Sequence, residues 1–291
     1  MRIGKSFRLG IHQFAPELCA PEANARKMAT AAAESDAALV LTPELSLTGY
    51  NLGDDAATLA VPLTDRPDAL QPIAELGEDA PDLIVGMVER GTDGVPYNAA
   101  VHLREGRIYF RHRKVYLPTY GMFDEGRFFG RGDRVDDFEL GGGWRAGILV
   151  CEDFWHPSLI YLLATRGIHL LLVQAAGPGR GTWTGGAHGG RFATNDSWER
   201  IARTAAQLYG IYVALANRVG VEGGVVFGGE SLIVDPTGEV VARGPSDAEA
   251  MVTADISLDR VMQARRPGAH IRDEDPHFVV RELNRMLEER R

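Results

Sequence analysis

The sequence predicts an α/β fold with mixed sheets, and three observations carry that expectation. Apolar runs of strand length interleave with runs of helical period, several strand pairs are separated only by turn residues, and no stretch reads as a linker between domains. All 291 residues are therefore expected to form a single domain, 1–291, large enough to bury a sizeable core.

The elements follow in order. Leu9–Phe14 is a short apolar strand, Asn24–Ser35 an Ala-rich helix, and Ala38–Thr42 a buried-type strand that ends at Pro43 and Glu44. A loop rich in Pro and Asp, with a helix around Pro67–Leu76, leads to the apolar strand Asp82–Glu89. Tyr97–Val115 alternates and turns at Arg104-Glu105-Gly106-Arg107, a hairpin pattern. After a loop over 117–134, Trp144–Val150 rises as a strand into Cys151, and Trp155–Arg166 has helical period with Gly167 as its stop. His169–Gln174 is a buried strand, 177–195 a Gly-rich loop, Asp196–Tyr209 a helix and Tyr212–Asn217 a strand. A hairpin over Glu230–Ala242 turns at Asp235-Pro236-Thr237-Gly238, and Phe278–Arg291 is a charged helix. No repeat of solenoid period is visible.

Composition narrows the function classes. With 40 acidic and 31 basic side chains, net −9, the chain lacks the basic footprint of a nucleic-acid or anionic-membrane binder. Cys19 and Cys151 are too few for a disulfide framework and have no zinc-site spacing, so a reduced, cytoplasmic protein is expected. The first residues have no apolar core followed by a small-residue cleavage site, and no apolar run approaches the roughly 20 residues that cross a bilayer.

The residues that could carry chemistry lie at strand ends and in the long loops. Cys151 stands where a strand ends and a helix is expected to begin, a place where helix-start amides would favour a thiolate and could hold an oxyanion. A buried structural cysteine is the competing reading. Of the two acids that follow, Asp153 reads as a cap for the next helix, while Glu152 is open between roles. Glu44, placed by Pro43 at the end of a core strand, is positioned for general-base work or is a plain loop acid. Lys114 closes the charged run Arg111-His112-Arg113-Lys114, most of which reads as a solvated face. It alone is followed by an inward-going apolar segment, and an ammonium beside a thiol can support a tetrahedral oxyanion. His156 is a second possible partner for the thiol. Gly141-Gly142-Gly143 precedes a strand instead of joining a strand to a helix, so it is no dinucleotide loop, and no cofactor or metal is expected.

Taken together, TPELSLTGY around Glu44, RHRKVYLPTYGMFDEGRFF around Lys114 and GILVCEDFW around Cys151 resemble, in this order, the Glu-Lys-Cys motifs of the nitrilase, or carbon-nitrogen hydrolase, superfamily. The likeness spans essentially the whole chain and is nearest to the glutaminase domain of glutamine-dependent NAD synthetase. It implies a four-layer αββα sandwich, commonly a homodimer. It also implies that Glu44 takes the thiol proton, that Cys151 attacks an amide or nitrile carbon to form a thioester, and that Lys114 holds the oxyanion. Glu125 in FDEGR matches a further family glutamate, and Tyr120 and Glu152 would line the substrate pocket. Two departures are plain: no SGGxDS-type loop of the synthetase half occurs, and Gly177 stands where that branch carries a glutamine-binding serine. With Trp183 and Trp198 nearby, a more apolar pocket is expected, and the substrate is expected to be a small aliphatic or ω-amide. The alternatives are a glutaminase subunit feeding ammonia to a separate synthetase, or a non-catalytic scaffold.

Overall fold

The computed structural model of the protein describes residues 3–181, 191–267 and 270–290; Trp183 lies outside these described residues. The first sheet collects β1 (Ser6–Gln13), β2 (Leu39–Leu41), β3 (Val61–Pro62), β4 (Asp82–Arg90), β5 (Pro96–Arg104) and β6 (Arg107–Arg113). The second is built from β7 (Asp137–Gly141), β8 (Trp144–Val150), β9 (Leu170–Ala175) and β10 (Tyr212–Asn217). A ribbon of β11 (Val219–Glu222) and β12 (Val225–Gly228) joins neither sheet. The chain then returns to the second sheet with β13 (Leu232–Val234) and β14 (Val240–Arg243), and β15 (Ala250–Ser257) closes the edge of the first by pairing antiparallel with β1. Parallel pairs (β1 with β2, β2 with β4, β8 with β9, β9 with β10) sit at the centres, with antiparallel strands outside them. Both sheets are mixed, as the interleaved pattern requires.

Alternation along the strands assigns the layers. Leu9, Ile11, Leu39 and Leu41 share one core with Ile148, Val150, Leu172 and Val213 of the second sheet. Val40, Val85 and Met87 point the other way, onto Ala25, Met28 and Ala32 of α1 (Pro21–Glu34). Beyond the short helices α2 (Asp55–Leu59), α3 (Gln71–Ala74) and α4 (Glu125–Phe128) come α5 (Pro157–Thr165) and α6 (Ala193–Tyr209). These two cover the second sheet; a side chain at Gly147 of β8 would strike Leu163 of α5 at 2.8 Å. The result is the four-layer αββα sandwich. Two further helices, α7 (Leu258–Arg265) and α8 (Pro276–Glu289), follow β15, and α8 buries none of its residues.

The local differences from expectation have physical causes. The expected helix around Pro67–Leu76 is a 3-10 turn, Asp68–Leu70, running into the four-residue α3. The helix expected from Trp155 begins at Pro157, because proline holds His156 extended, and Cys151–Trp155 is a separate 3-10 turn. β11, β12, β15 and α7 were not expected; their patterns are short, or mix Thr, Asp and Ser into the apolar positions. Among the described residues no helix is long and apolar enough to cross a membrane.

Candidate active site

Glu44, Lys114 and Cys151 each sit just past the end of a core strand, and Glu125 opens the short helix α4. β2 ends at Leu41, and Thr42 and Ser46 lock the following turn: their hydroxyls lie 2.7 Å apart, and Gly86 N–H donates to Ser46 Oγ at 3.0 Å. Only glycine fits at 86, since a Cβ there would lie 2.5 Å from Leu45 N and 2.6 Å from Pro43 O. Gln174 of β9 reaches across the sandwich and donates to Thr42 O at 2.8 Å, so the turn is held by both sheets. This construction leaves Leu45 at φ +49° and buries Glu44 completely.

Around Glu44 the polar groups converge. Its Oε1 accepts from Asn98 Nδ2 at 2.8 Å and from Lys114 Nζ at 2.7 Å, and its Oε2 accepts from the Ala176 N–H at 3.0 Å. Lys114, directly after β6 and fully buried, also donates to Glu125 Oε1 at 2.7 Å. That oxygen takes a second bond, from Tyr50 Oη at 2.5 Å, while Glu125 Oε2 has no partner among the described residues. The sequence-predicted set Glu44, Lys114, Glu125 and Cys151 is thus one buried cluster, with Cys151 within electrostatic reach of the other three.

Cys151 follows β8 with φ +50°, a conformation unusual for a non-glycine residue, and is buried. Asp153 fixes the turn, and the helix-cap reading is corrected. Its Oδ1 accepts from the N–H groups of Val115 and Tyr116 at 2.9 and 2.8 Å, and its Oδ2 from Val150 N at 3.2 Å. His112 Nε2 lies 2.8 Å from the same Oδ2, so one carboxylate ties the segment carrying Lys114 to the segment carrying Cys151. This is the work a buried acid must have to be tolerated.

The electrostatics also correct the expected thiolate at a helix start. Burial, and then Glu44, push the Cys151 thiol well above its ordinary range, against the opposing pull of Lys114. A five-residue 3-10 turn supplies little dipole to reverse that. Burial disfavours the Lys114 charge, but Glu125 and Glu44 outweigh it and hold the ammonium protonated. Glu125 is pushed up to about 7, by burial first and then by Glu44, with Lys114 opposing. A thiol kept protonated beside a carboxylate needs a base to become a nucleophile.

The peripheral candidates fall at the rim or in the wall. Tyr120 Oη donates to Glu152 Oε2 at 2.7 Å, and Tyr120 itself is exposed. His156 turns from the thiol, stacking on Tyr116 at 3.4 Å between centroids and lying 3.7 Å from Glu152 Oε1. Gly177 is packed close: its N–H donates to Asn217 Oδ1 at 2.8 Å, and a Cβ there would come within 2.9 Å of Trp198 Nε1. Trp198, stacked over Phe154 and edge-on to Trp155, occupies the space any side chain at 177 would need. Sequence reading missed Tyr50 and Asn98; the first lies six residues after Glu44 in TGY, and the second in the strand opposite Lys114. Among the described residues no group of three or more His, Cys, Asp or Glu side chains could hold a metal.

An αββα sandwich with a thiol, two carboxylates and an ammonium in one buried cluster defines a class of hydrolase-type α/β proteins. The carbon-nitrogen hydrolase family model matches residues 9–266, and the chain belongs to that family. It is 34% identical over 256 residues to the glutamine-dependent NAD(+) synthetase of Rhodobacter capsulatus, covering 86% of this chain and 43% of that one. Its identity to the same-named enzyme of Acinetobacter baylyi is 29% over 260 residues, covering 88% and 45%. The chain therefore spans a little under half the length of these relatives. By contrast, it superposes on nearly the whole of a double mutant of the Nesterenkonia sp. AN1 amidase in complex with acrylamide. There the TM-score is 0.73 and the identity 25%, with 93% of this chain and 98% of that chain covered.

Proposed function

We propose that the chain, as one catalytic domain, hydrolyses the C–N bond of a small aliphatic or ω-amide through a thioester on Cys151. The observation that carries this reading is the buried cluster in which Lys114 bridges Glu44 and Glu125, each at 2.7 Å, beside a protonated thiol. Glu44 takes the Cys151 proton as the sulfur attacks the amide carbon. Lys114 and the N–H of Glu152 stabilise the oxyanion. The C–N bond breaks as Glu44 returns the proton to the leaving ammonia, and Glu44 then activates the water that cleaves the thioester. Glu125, with its free Oε2, orients Lys114 and faces the reacting amide. Tyr120 and Glu152 form the outer rim of the pocket, and Gly177 with Trp198 its wall.

A stand-alone amidase is favoured by coverage of nearly all of the amidase chain and by the Gly177 wall, which has no hydroxyl for an amino-acid head group. The likeness to one part of the NAD synthetases supports a second reading, a glutaminase that supplies ammonia to a synthetase. The two separate in one assay of ammonia release from an amide panel and glutamine, with and without a synthetase, with intact mass read for an acyl adduct. Turnover of simple amides alone supports the first; glutamine turnover only with the partner supports the second. Unchanged ammonia release from Cys151→Ala would sink both. This reading includes a reduced cytoplasmic setting and a homodimer packed through α5 and α6, where Leu162 and Leu208 are exposed; light scattering giving a monomer would remove the latter.

A further inference from the structure

The ribbon β11–β12 belongs to neither sheet, and a lone two-stranded ribbon is marginal in water, so its contacts are what keep it in place. One face meets the pocket wall: Gly179 N–H donates to Val226 O at 2.8 Å, and Pro178 bridges to Phe227. The other face meets the loop after Glu44. Glu222, at the end of β11 and almost fully buried, accepts through Oε1 from two successive backbone donors, Tyr50 N at 3.0 Å and Asn51 N at 2.7 Å. Its Oε2 accepts from Arg218 Nη1 at 2.7 Å, and the Arg218 guanidinium lies 4.2 Å from the centre of the Phe227 ring. The Tyr50 ring stands edge-on to that same Phe227 at 6.2 Å. Gly49 makes the approach possible, since it has φ +81° and a Cβ there would be 2.8 Å from Glu222 Oε2. Tyr50 is thereby gripped at its backbone and at its ring, and its phenol donates to the Glu125 oxygen that Lys114 also holds.

We propose that Glu222 is a positioning residue for the site: by capping the N–H groups of Tyr50 and Asn51 it sets the Tyr50 phenol on Glu125, and through Glu125 the placement of Lys114. The inference rests on the assignment of Glu125 and Lys114 to the reacting cluster. A carboxylate that accepts two consecutive amides fixes backbone direction as well as position, which a single hydrogen bond does not. The groups that face Glu125 are Lys114, Glu44, Tyr50 and Cys151; those that face Glu222 are Arg218 and, farther off, Cys19. Lys114 is the group whose charge favours the Cys151 thiolate, so losing the Tyr50 hydrogen bond, which frees Glu125 and with it Lys114, raises the pH at which the thiolate forms.

The test reads Cys151 directly and needs no substrate. In a Cys19→Ser background, the rate of iodoacetamide addition to Cys151, followed by intact mass, is measured against pH. Tyr50→Phe is expected to move the midpoint upward by roughly half a unit or more. Glu222→Ala is expected to move it in the same direction, and Tyr50→Phe combined with Glu222→Ala to move it no further than the larger single shift. Glu222→Gln keeps an acceptor for both N–H groups and is expected to stay near the parent. Should the stranded Arg218 unfold Glu222→Ala, the paired change Arg218→Met with Glu222→Met removes the acceptor without leaving a buried cation. An unmoved midpoint in the acceptor-less variant, or a shift that adds fully to that of Tyr50→Phe, overturns the proposal. Failure of the amidase reading looks different: Cys151 would show the linked midpoints while no amide is hydrolysed.

Discussion

The cluster at the strand ends and the wall that encloses it are built on different terms. Glu44 and Lys114 follow core strands, are buried and, with Glu125, satisfy one another's charge, and Cys151 is buried beside them. The proposed wall is made of loop and rim: Gly177 against Trp198, and the exposed Tyr120 on Glu152. A sandwich that holds its reacting groups by its strands can exchange its wall without disturbing them.

The contrast can be broken most directly at the cluster. Cys151→Ala is expected to lower kcat/KM by about 10⁴ or more while leaving the melting temperature nearly unchanged, measured by ammonia release and calorimetry. Lys114→Met is expected to abolish activity and also to cost about 3–5 kcal/mol of stability, because it strands Glu44 and Glu125 in the interior. Denaturant unfolding would show it. If Lys114→Met were as stable as Cys151→Ala, the paired-charge account of the site would fail.

The wall is expected to respond in specificity instead. Gly177→Ala, forced against Trp198, should change the ratio of kcat/KM between short and longer acyl amides by about tenfold, with Trp198→Phe partly restoring it. Equal losses on every amide would instead place Gly177 with the chemistry. The pH profile probes the seam between the regions. Because the proposed mechanism uses ionised Glu125, which is raised to about 7, kcat/KM should climb as pH rises through that value. It should not fall again until beyond the ordinary lysine range, since Lys114 is held protonated. A profile flat from pH 5 to 8, measured on one amide, would remove Glu125 from the ionised cluster. The smallest effect is expected at the rim: Tyr120→Phe should raise KM a few-fold at most, as an exposed hydrogen bond contributes little.

Legibility in the sequence follows the same division. Glu44 and Cys151 could be found because each ends an apolar run, so that strand period and the punctuation after it mark the place, and Lys114 because a charged run there gives way to an apolar segment. Glu125 came only through the resemblance, for nothing in FDEGR distinguishes a buried acid from a solvated one. Asp153 read as a cap because three of its four partners, His112, Val115 and Tyr116, lie far away in sequence, and a local rule sees only the helix ahead. Tyr50, Asn98 and Glu222 were invisible for a related reason: each acts through hydrogen bonds to residues far away in sequence, and no periodicity records such bonds. The glycine at 177 was noticed as a missing hydroxyl, but that an indole fills the space needed coordinates.

Lys114 holds two acids that cannot stay buried without it, whereas Cys151 holds nothing. That asymmetry sets an order of decay. A descendant relieved of selection for turnover could drop the thiol at little harm to its fold, but would be kept from dropping the lysine until both glutamates had gone. A relative with serine or alanine at the position of Cys151 and an intact Glu-Lys-Glu set would therefore be a retired enzyme, preserved by the folding requirement of its former active site.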